Sequence, residues 1–211
     1  MHPLSLLPFA TLALSHGLVT SPLGTRTPGA ATAAACGQTL VTFYNADNTS
    51  YPEALLRANP SGLRDGYDAA KCNLWLCKGF QFADNAANVK SYKPGDVIDM
   101  QVRIRIAHKG YANVSVVDMA ANKVIGTPLI SWADNYAAST SPPEDQVKFS
   151  VKVPELGGKC TKAGECTIQW YWFGQGQTYE SCIDFTVPAA AAAAHPGHEH
   201  RRSVAGRAMM L

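Results

Sequence analysis

Net charge is almost absent from this chain. Lysine and arginine number 18 against 16 acidic residues, a formal +2, and charged residues make up only 16% of the 211. The small excess sits near the C-terminus, where Arg201, Arg202 and Arg207 stand against Glu199, so the segment from His16 to Pro188 is close to neutral. A neutral domain has no electrostatic reason to bind nucleic acid or an acidic membrane surface, and neither partner is expected. An uncharged polymer is the better match. Paired carboxylates at a cleft, which a glycosidase of the usual kind needs, are also lacking: Asp84, Asp118 and Asp184 are scattered. Histidine is scarce. Of six, one lies before residue 16 and three lie after Pro188, leaving only His16 and His108 between.

The two ends differ from the middle. Met1 to Ser15 carries no acidic or basic side chain, is rich in Leu, Pro and Ala, and ends Ala13-Leu14-Ser15. Small residues at the minus-three and minus-one positions after a short apolar stretch are what signal peptidase reads. Pro3 and Pro8 break the run, which is too short to span a bilayer. Residues 1–15 therefore read as a signal peptide, the alternative being a buried N-terminal helix, and the product as a secreted, extracellular protein starting at His16. Beyond Pro188 come six alanines and then His-Pro-Gly-His-Glu-His-Arg-Arg. With neither a periodic apolar face nor turn chemistry, 189–211 reads as a disordered tail with incidental histidines.

The middle segment suits one domain with a sizeable core. All six cysteines fall in it, at 36, 72, 77, 160, 166 and 182, and an even count after a signal peptide implies disulfides. Cys72–Cys77 and Cys160–Cys166 are the loops easiest to close, which would leave Cys36–Cys182. A swap in which Cys72 or Cys77 takes Cys182 stays open. Asn48-Thr49-Ser50 and Asn113-Val114-Ser115 are glycosylation sequons suited to a secreted chain.

The strongest periodicity is alternation. Met100, Val102, Ile104 and Ile106 share one face, with Gln101, Arg103 and Arg105 on the other. Val147 to Val153, Cys166 to Trp172 and Ile183 to Val187 alternate likewise, Ala112 to Met119 gives another strand and Val124-Ile125 a shorter one. Such period-two runs between Gly, Pro and Asn clusters predict an all-β antiparallel sandwich with long loops. Helix is scarce, Pro52 to Asn59 being the best candidate. The segment from Tyr44 to Lys71, with Tyr44, Tyr51 and Tyr67, reads as a surface excursion.

His108 ends one alternating strand, where a lone histidine is usually just a polar surface residue. His16 changes that reading if it is the mature N-terminus. Its α-amino group and ring Nδ1 can close a chelate on a metal, because an amino pKa near 8 lets a metal displace the proton. Adding the imidazole of His108 gives a T-shaped set of three nitrogens, which suits copper over zinc, calcium or magnesium.

Several stretches resemble a known family. They are His16-Gly17-Leu18-Val19-Thr20-Ser21-Pro22, Ala34-Ala35-Cys36-Gly37-Gln38, Cys72-Asn73-Leu74-Trp75-Leu76-Cys77-Lys78-Gly79, Ala107-His108-Lys109-Gly110-Tyr111-Ala112-Asn113 and Gln177-Thr178-Tyr179-Glu180-Ser181-Cys182. Together they resemble fungal lytic polysaccharide monooxygenases with a chitin-binding type-4 domain, closest to auxiliary activity family sixteen. The resemblance implies an immunoglobulin-like or fibronectin III-like sandwich over 16–188 as the catalytic domain, acting as a monomer. It implies one copper per chain, held by His16 (amino nitrogen and Nδ1) and His108 (Nε2). Tyr179 takes the axial aromatic position and Gln177 a hydrogen-bonding place just outside the ligands. The strand's phase alone leaves either Tyr179 or Glu180 facing the metal. Tyr111, beside His108, is the leading residue for docking substrate.

The implied reaction is oxidative cleavage of glycosidic bonds in an insoluble polysaccharide, cellulose first and chitin second, using a reductant with hydrogen peroxide or oxygen. Rival readings are a copper-handling relative without oxygenase activity and a non-catalytic carbohydrate-binding module. Leu23 to Thr25 and Tyr44 to Lys71 depart from the family pattern, which leaves substrate choice open.

Overall fold

Alternating apolar residues become strands where one face can be buried, and here two sheets share that burial. The computed structural model describes residues 16–188; the predicted signal peptide and tail lie outside the described residues. One sheet has the order β1 (His16–Ser21), β3 (Val97–Ile106), β7 (Lys148–Lys152). The other runs β2 (Lys90–Ser91), β9 (Gln177–Thr186), β8 (Cys166–Gly174), β4 (Gly110–Asp118), β5 (Lys123–Val124), with β6 (Ile130–Tyr136) also on β4. All pairings are antiparallel except β2 with β9. Ile98, Met100 and Val102 of β3 meet Val114 of β4, Ile168, Trp170 and Trp172 of β8, and Ile183 and Phe185 of β9 in one core. Burying each such side chain contributes about 1.5–3 kcal/mol.

The all-β, immunoglobulin-like or fibronectin III-like expectation is overturned: the protein is mixed α and β, and its sheets are open. Helices α1 (Ala30–Cys36), α2 (Gln38–Ala46) and α3 (Pro52–Ala58) lie between β1 and β2, and α4 (Glu144–Val147) precedes β7. Their causes are local. Ala30 to Ala35 is five alanines around Thr32, and alanine is the best helix former. In α2 Leu40, Val41 and Tyr44 fall at helical spacing and are buried. Helix α3, the one helix legible beforehand, has Pro52 in its first turn with Glu53 beside it, both favourable at a helix start.

Nor is the region from Tyr44 to Lys71 a surface excursion. Tyr44 and Leu55 are fully buried in a second core with Ala35, Cys36, Leu40, Cys72, Leu74 and Phe80, and Tyr51 is fully buried in the main core.

The disulfides are Cys36–Cys72, Cys77–Cys182 and Cys160–Cys166. The short Cys72–Cys77 loop and its companion Cys36–Cys182 do not form; the swap in which Cys77 takes Cys182 does. The reason is backbone direction. Cys77 and Lys78 have φ of 54° and 58° in a one-turn 3-10 helix, Cys77–Gly79, that turns the chain onto β9. Cys72 instead meets the last residue of α1. Nearby, Arg26 forms a buried two-pronged ion pair with Asp184, Nε to Oδ2 and Nη2 to Oδ1 both at 2.7 Å, and donates from Nη1 to the carbonyl of Phe80.

Asp84, unassigned by any motif, caps α1 from across the chain. It accepts from the N–H groups of Gly29, Ala31 and Thr32 and from the Thr32 hydroxyl, at 2.7–3.0 Å. Burial pushes its pKa up, but these hydrogen bonds outweigh that and hold it below its ordinary value. Asp84→Ala is expected to cost about 1–2 kcal/mol at neutral pH, read by chemical denaturation. Because the folded pKa is depressed, the contribution is full above about pH 4 and is lost as the pH falls through the folded value. The wild-type and Asp84→Ala stabilities should therefore converge in acid; curves that stay parallel would refute the capping role.

Candidate metal centre

Both histidines of the described residues are buried, His16 with 5% and His108 with 7% of its surface exposed. They lie at the same end of the molecule. His16 opens β1 and pairs with Ile106, the last residue of β3, and His108 follows two residues later in the link to β4. That link is pressed against β8: a Cβ on Gly110 would lie 2.0 Å from the carbonyl oxygen of Phe173, so only glycine fits. One indole, Trp172, adjoins the backbone beside both histidines. A Cβ on Gly17 would meet its Cζ3 at 3.1 Å, and a Cβ on Gly174 would lie 3.2 Å from its Nε1 and 2.9 Å from the His108 carbonyl oxygen.

A row of rings runs inward from His16. The His16 ring centroid is 6.3 Å from that of Tyr51, Tyr51 is 5.1 Å from Tyr179, and Tyr179 stacks on Trp172 at 4.4 Å and 27°. Tyr51 is fully buried; Arg57 donates to its hydroxyl and lies over its ring. The Tyr179 hydroxyl donates to Oε1 of Gln177 at 2.6 Å, so these two side chains of β9 are joined. Of Tyr179 and Glu180, it is Tyr179 whose ring belongs to the row beside His16. Glu180 serves the other face, accepting from the Lys78 N–H at 2.8 Å and from Gln169 Nε2 at 3.3 Å.

His16 is also held from the side. Its Nε2 lies 3.0 Å from Oδ2 of Asp47, and Arg105 Nη1 reaches the same oxygen at 3.0 Å. The Thr49 N–H and hydroxyl both donate to Oδ1. Partial burial pushes the Asp47 carboxyl up, yet the Thr49 hydrogen bonds, with the electrostatic pull of His16 and Arg105, outweigh it and leave the pKa lowered. The same loop grips the strand, because Gly17 N–H donates to the Thr49 carbonyl at 3.2 Å. Behind it Lys78, fully buried, donates from Nζ to the Asn48 carbonyl at 2.9 Å and sits 5.2 Å from the Tyr44 ring centroid. Burial lowers the Lys78 pKa against the pull of Glu180, and burial raises that of Glu180.

Asp47, Tyr51 and Lys78 carry no metal-ligand or catalytic motif in the sequence. The signals present were an Asp two residues before Thr at a helix end, and a Tyr directly before a helix-opening Pro.

Among the described residues no group of three or more His, Cys, Asp or Glu side chains is placed to hold a metal. A chelate built on an N-terminal histidine needs only two imidazoles, its further donor being main-chain nitrogen. Asp47 engages Nε2 of His16, and a chelate through that ring uses the other nitrogen, Nδ1. With His16 as the N-terminus, the donor set would fit a nitrogen-bound metal of the copper type.

Tyr111 is not brought into this group. It lies on the outer face of β4, 43% exposed, with its ring 5.7 Å from Phe173 and 6.1 Å from Tyr171. Of the sequon residues, Asn48 is exposed beside Asp47, while Asn113 is half-buried on β4 and accepts from the Ser115 hydroxyl.

A family model described as lytic polysaccharide mono-oxygenase, cellulose-degrading, matches residues 16–185. No curated protein matches the chain. Solved structures are similar at low identity. An AA10 lytic polysaccharide monooxygenase from Streptomyces lividans is 16% identical over 49% of this chain and 62% of its own, with a TM-score of 0.33. A chitin binding domain from Burkholderia pseudomallei is 14% identical over 82% and 99%, with a TM-score of 0.40. A CBM33 from Bacillus amyloliquefaciens in complex with Cu(I) is 11% identical over 82% and 99%, with a TM-score of 0.38. The chain thus spans about three fifths of the length of the Streptomyces protein. These relatives are bacterial and one is described as AA10. The expected placement in fungal auxiliary activity family sixteen is corrected to the wider family that the model over 16–185 gives. What stands is the wider family. Matched from His16 to Phe185, well over half its length, the chain belongs to the lytic polysaccharide mono-oxygenase family.

Proposed function

We propose that this protein is a secreted, copper-dependent monooxygenase that oxidatively cleaves glycosidic bonds in an insoluble polysaccharide. Cellulose is the first substrate, in keeping with the family's description, and chitin the second. The observation that carries this is the shared end of β1 and β3, where the two histidines of the described residues are both buried, His16 opposite Ile106 and His108 two residues beyond it. In the proposal the leader is cut after Ser15. The new amino group and Nδ1 of His16, with Nε2 of His108, would then hold one copper, with Tyr179 in the row of rings behind His16.

When bound, copper would supply one-electron redox chemistry, taking electrons from an external reductant while hydrogen peroxide or oxygen serves as the oxidant of a sugar carbon–hydrogen bond. The chain's own residues do the rest. Asp47 fixes the His16 ring, the packed rings of Tyr51, Tyr179 and Trp172 keep water from its inner side, and Tyr179 orients the Gln177 amide. The exposed Tyr111 ring, with Phe173 beside it, offers an aromatic contact for a sugar face. Near-neutral charge suits an uncharged polymer.

The test incubates copper-loaded protein beginning at His16 with reductant, peroxide and cellulose or chitin, and identifies products by mass spectrometry. Oxidised oligosaccharides are expected. Their absence on every polysaccharide, with copper bound, would favour a copper-handling role. His108→Ala should abolish copper binding and product, and so should one extra residue left before His16; retained activity in either would refute the ligand set. Gly17→Ala tests the packing. Its methyl would lie 3.1 Å from Trp172 and 3.3 Å from the Ile104 side chain, so a loss of about 1–3 kcal/mol in chemical denaturation is expected. No loss would mean that β1 is free to shift.

A further inference from the structure

We infer that Asp47 is a positioning residue for the metal chelate at His16, setting the ring's tautomer and orientation through its contact with Nε2. The inference rests on the proposed function. Asp47 Oδ2 lies 3.0 Å from Nε2, so a neutral imidazole placed there carries its proton on Nε2 and its basic lone pair on Nδ1. A carboxylate on the outer nitrogen also raises the basicity of the inner one, and it resists a ring flip, which would forfeit the bond.

The residue is itself held by its side chain and its backbone. Thr49 donates twice to Oδ1, the Asp47 N–H bonds the Phe43 carbonyl at the end of α2 at 3.2 Å, and Ser50 N–H bonds the Asp47 carbonyl at 3.2 Å. The next residue, Asn48, accepts from the buried ammonium of Lys78. A half-exposed Arg105 ion pair alone would contribute little and would explain neither the burial of His16 nor the loop's attachment to Gly17.

The competing account makes Asp47 only a turn-former and a partner for Arg105, and two variants separate the accounts. Asp47→Asn keeps the size and the Thr49 hydrogen bonds but can turn an amide N–H toward Nε2. Arg105→Ala removes the ion pair and leaves the Asp47–His16 contact. Protein beginning at His16 is titrated with Cu(II) by calorimetry, its Cu(II) paramagnetic resonance spectrum is recorded, and the metal-free protein is melted.

Asp47→Asn is expected to bind Cu(II) about 10–100-fold more weakly with an altered spectrum, while its metal-free melting stays near wild type. Arg105→Ala should match wild type in affinity and spectrum. Wild-type affinity and spectrum in Asp47→Asn would overturn the inference alone, as would an equal weakening in Arg105→Ala. A wild type that binds no Cu(II), or a His108→Ala variant that binds as tightly as wild type, would overturn the proposed function and the inference with it.

Discussion

The bridge from Cys77 to Cys182 decides where the helical segment sits, and the rest of the site follows from it. It joins residues 105 apart, so in the chain-entropy view it removes roughly 4–5 kcal/mol of disorder from the unfolded state. Its larger consequence is geometric. Lys78, next in sequence, is carried under the helices, where its N–H meets Glu180 and its ammonium meets the Asn48 carbonyl. The Arg26–Asp184 pair and the Arg26 contact to Phe80 tie the same region to β9 from its other side. With both ends fastened, the loop after α2 reaches the start of β1, and Asp47 and Thr49 meet His16 and Gly17.

The strands were legible because alternation is a local signal. Strands β3, β4, β7, β8 and β9 fall where apolar residues repeat at period two, and Trp170 and Trp172 turn inward as that pattern requires. Strand β6 gives no such signal, since Ser131, Ala133, Asp134 and Asn135 are exposed and the strand is fastened mainly by Trp132 and Tyr136 packing across to Phe149 and Trp170. The helices hid for another reason. At seven to nine residues, α1, α2 and α3 are too short to stand alone or to show a sustained 3.6-residue period. They exist because the second core and two disulfides hold them, and neither can be read along the chain. The mixed α and β class followed from that.

The same division runs through the candidate site. His16 and His108 could be singled out by counting, because a domain with two histidines and a predicted cut site before one of them leaves few arrangements. Tyr179 and Gln177 came from motif, and their mutual hydrogen bond fits one local unit. Asp47 and Tyr51 could not be found in this way. Each lies more than 30 residues from His16, on a segment whose fold depends on the Cys36–Cys72 pairing rather than on the shorter loop that closure entropy favours.

Burying Lys78 and Glu180 side by side is a poor way to gain stability. Desolvating two ions costs several kcal/mol each, and a well-packed apolar pair is often as stable or better. Each ion here has partners: Asn48 and the Tyr44 face for the ammonium, the Lys78 N–H and Gln169 for the carboxylate. An apolar pair would fill the space but could not hold the Asn48 carbonyl, and the loop that presents Asp47 would lose its deepest anchor. The buried charges are therefore better understood as fixing one loop conformation than as adding stability, and that conformation is the one that meets the His16 ring.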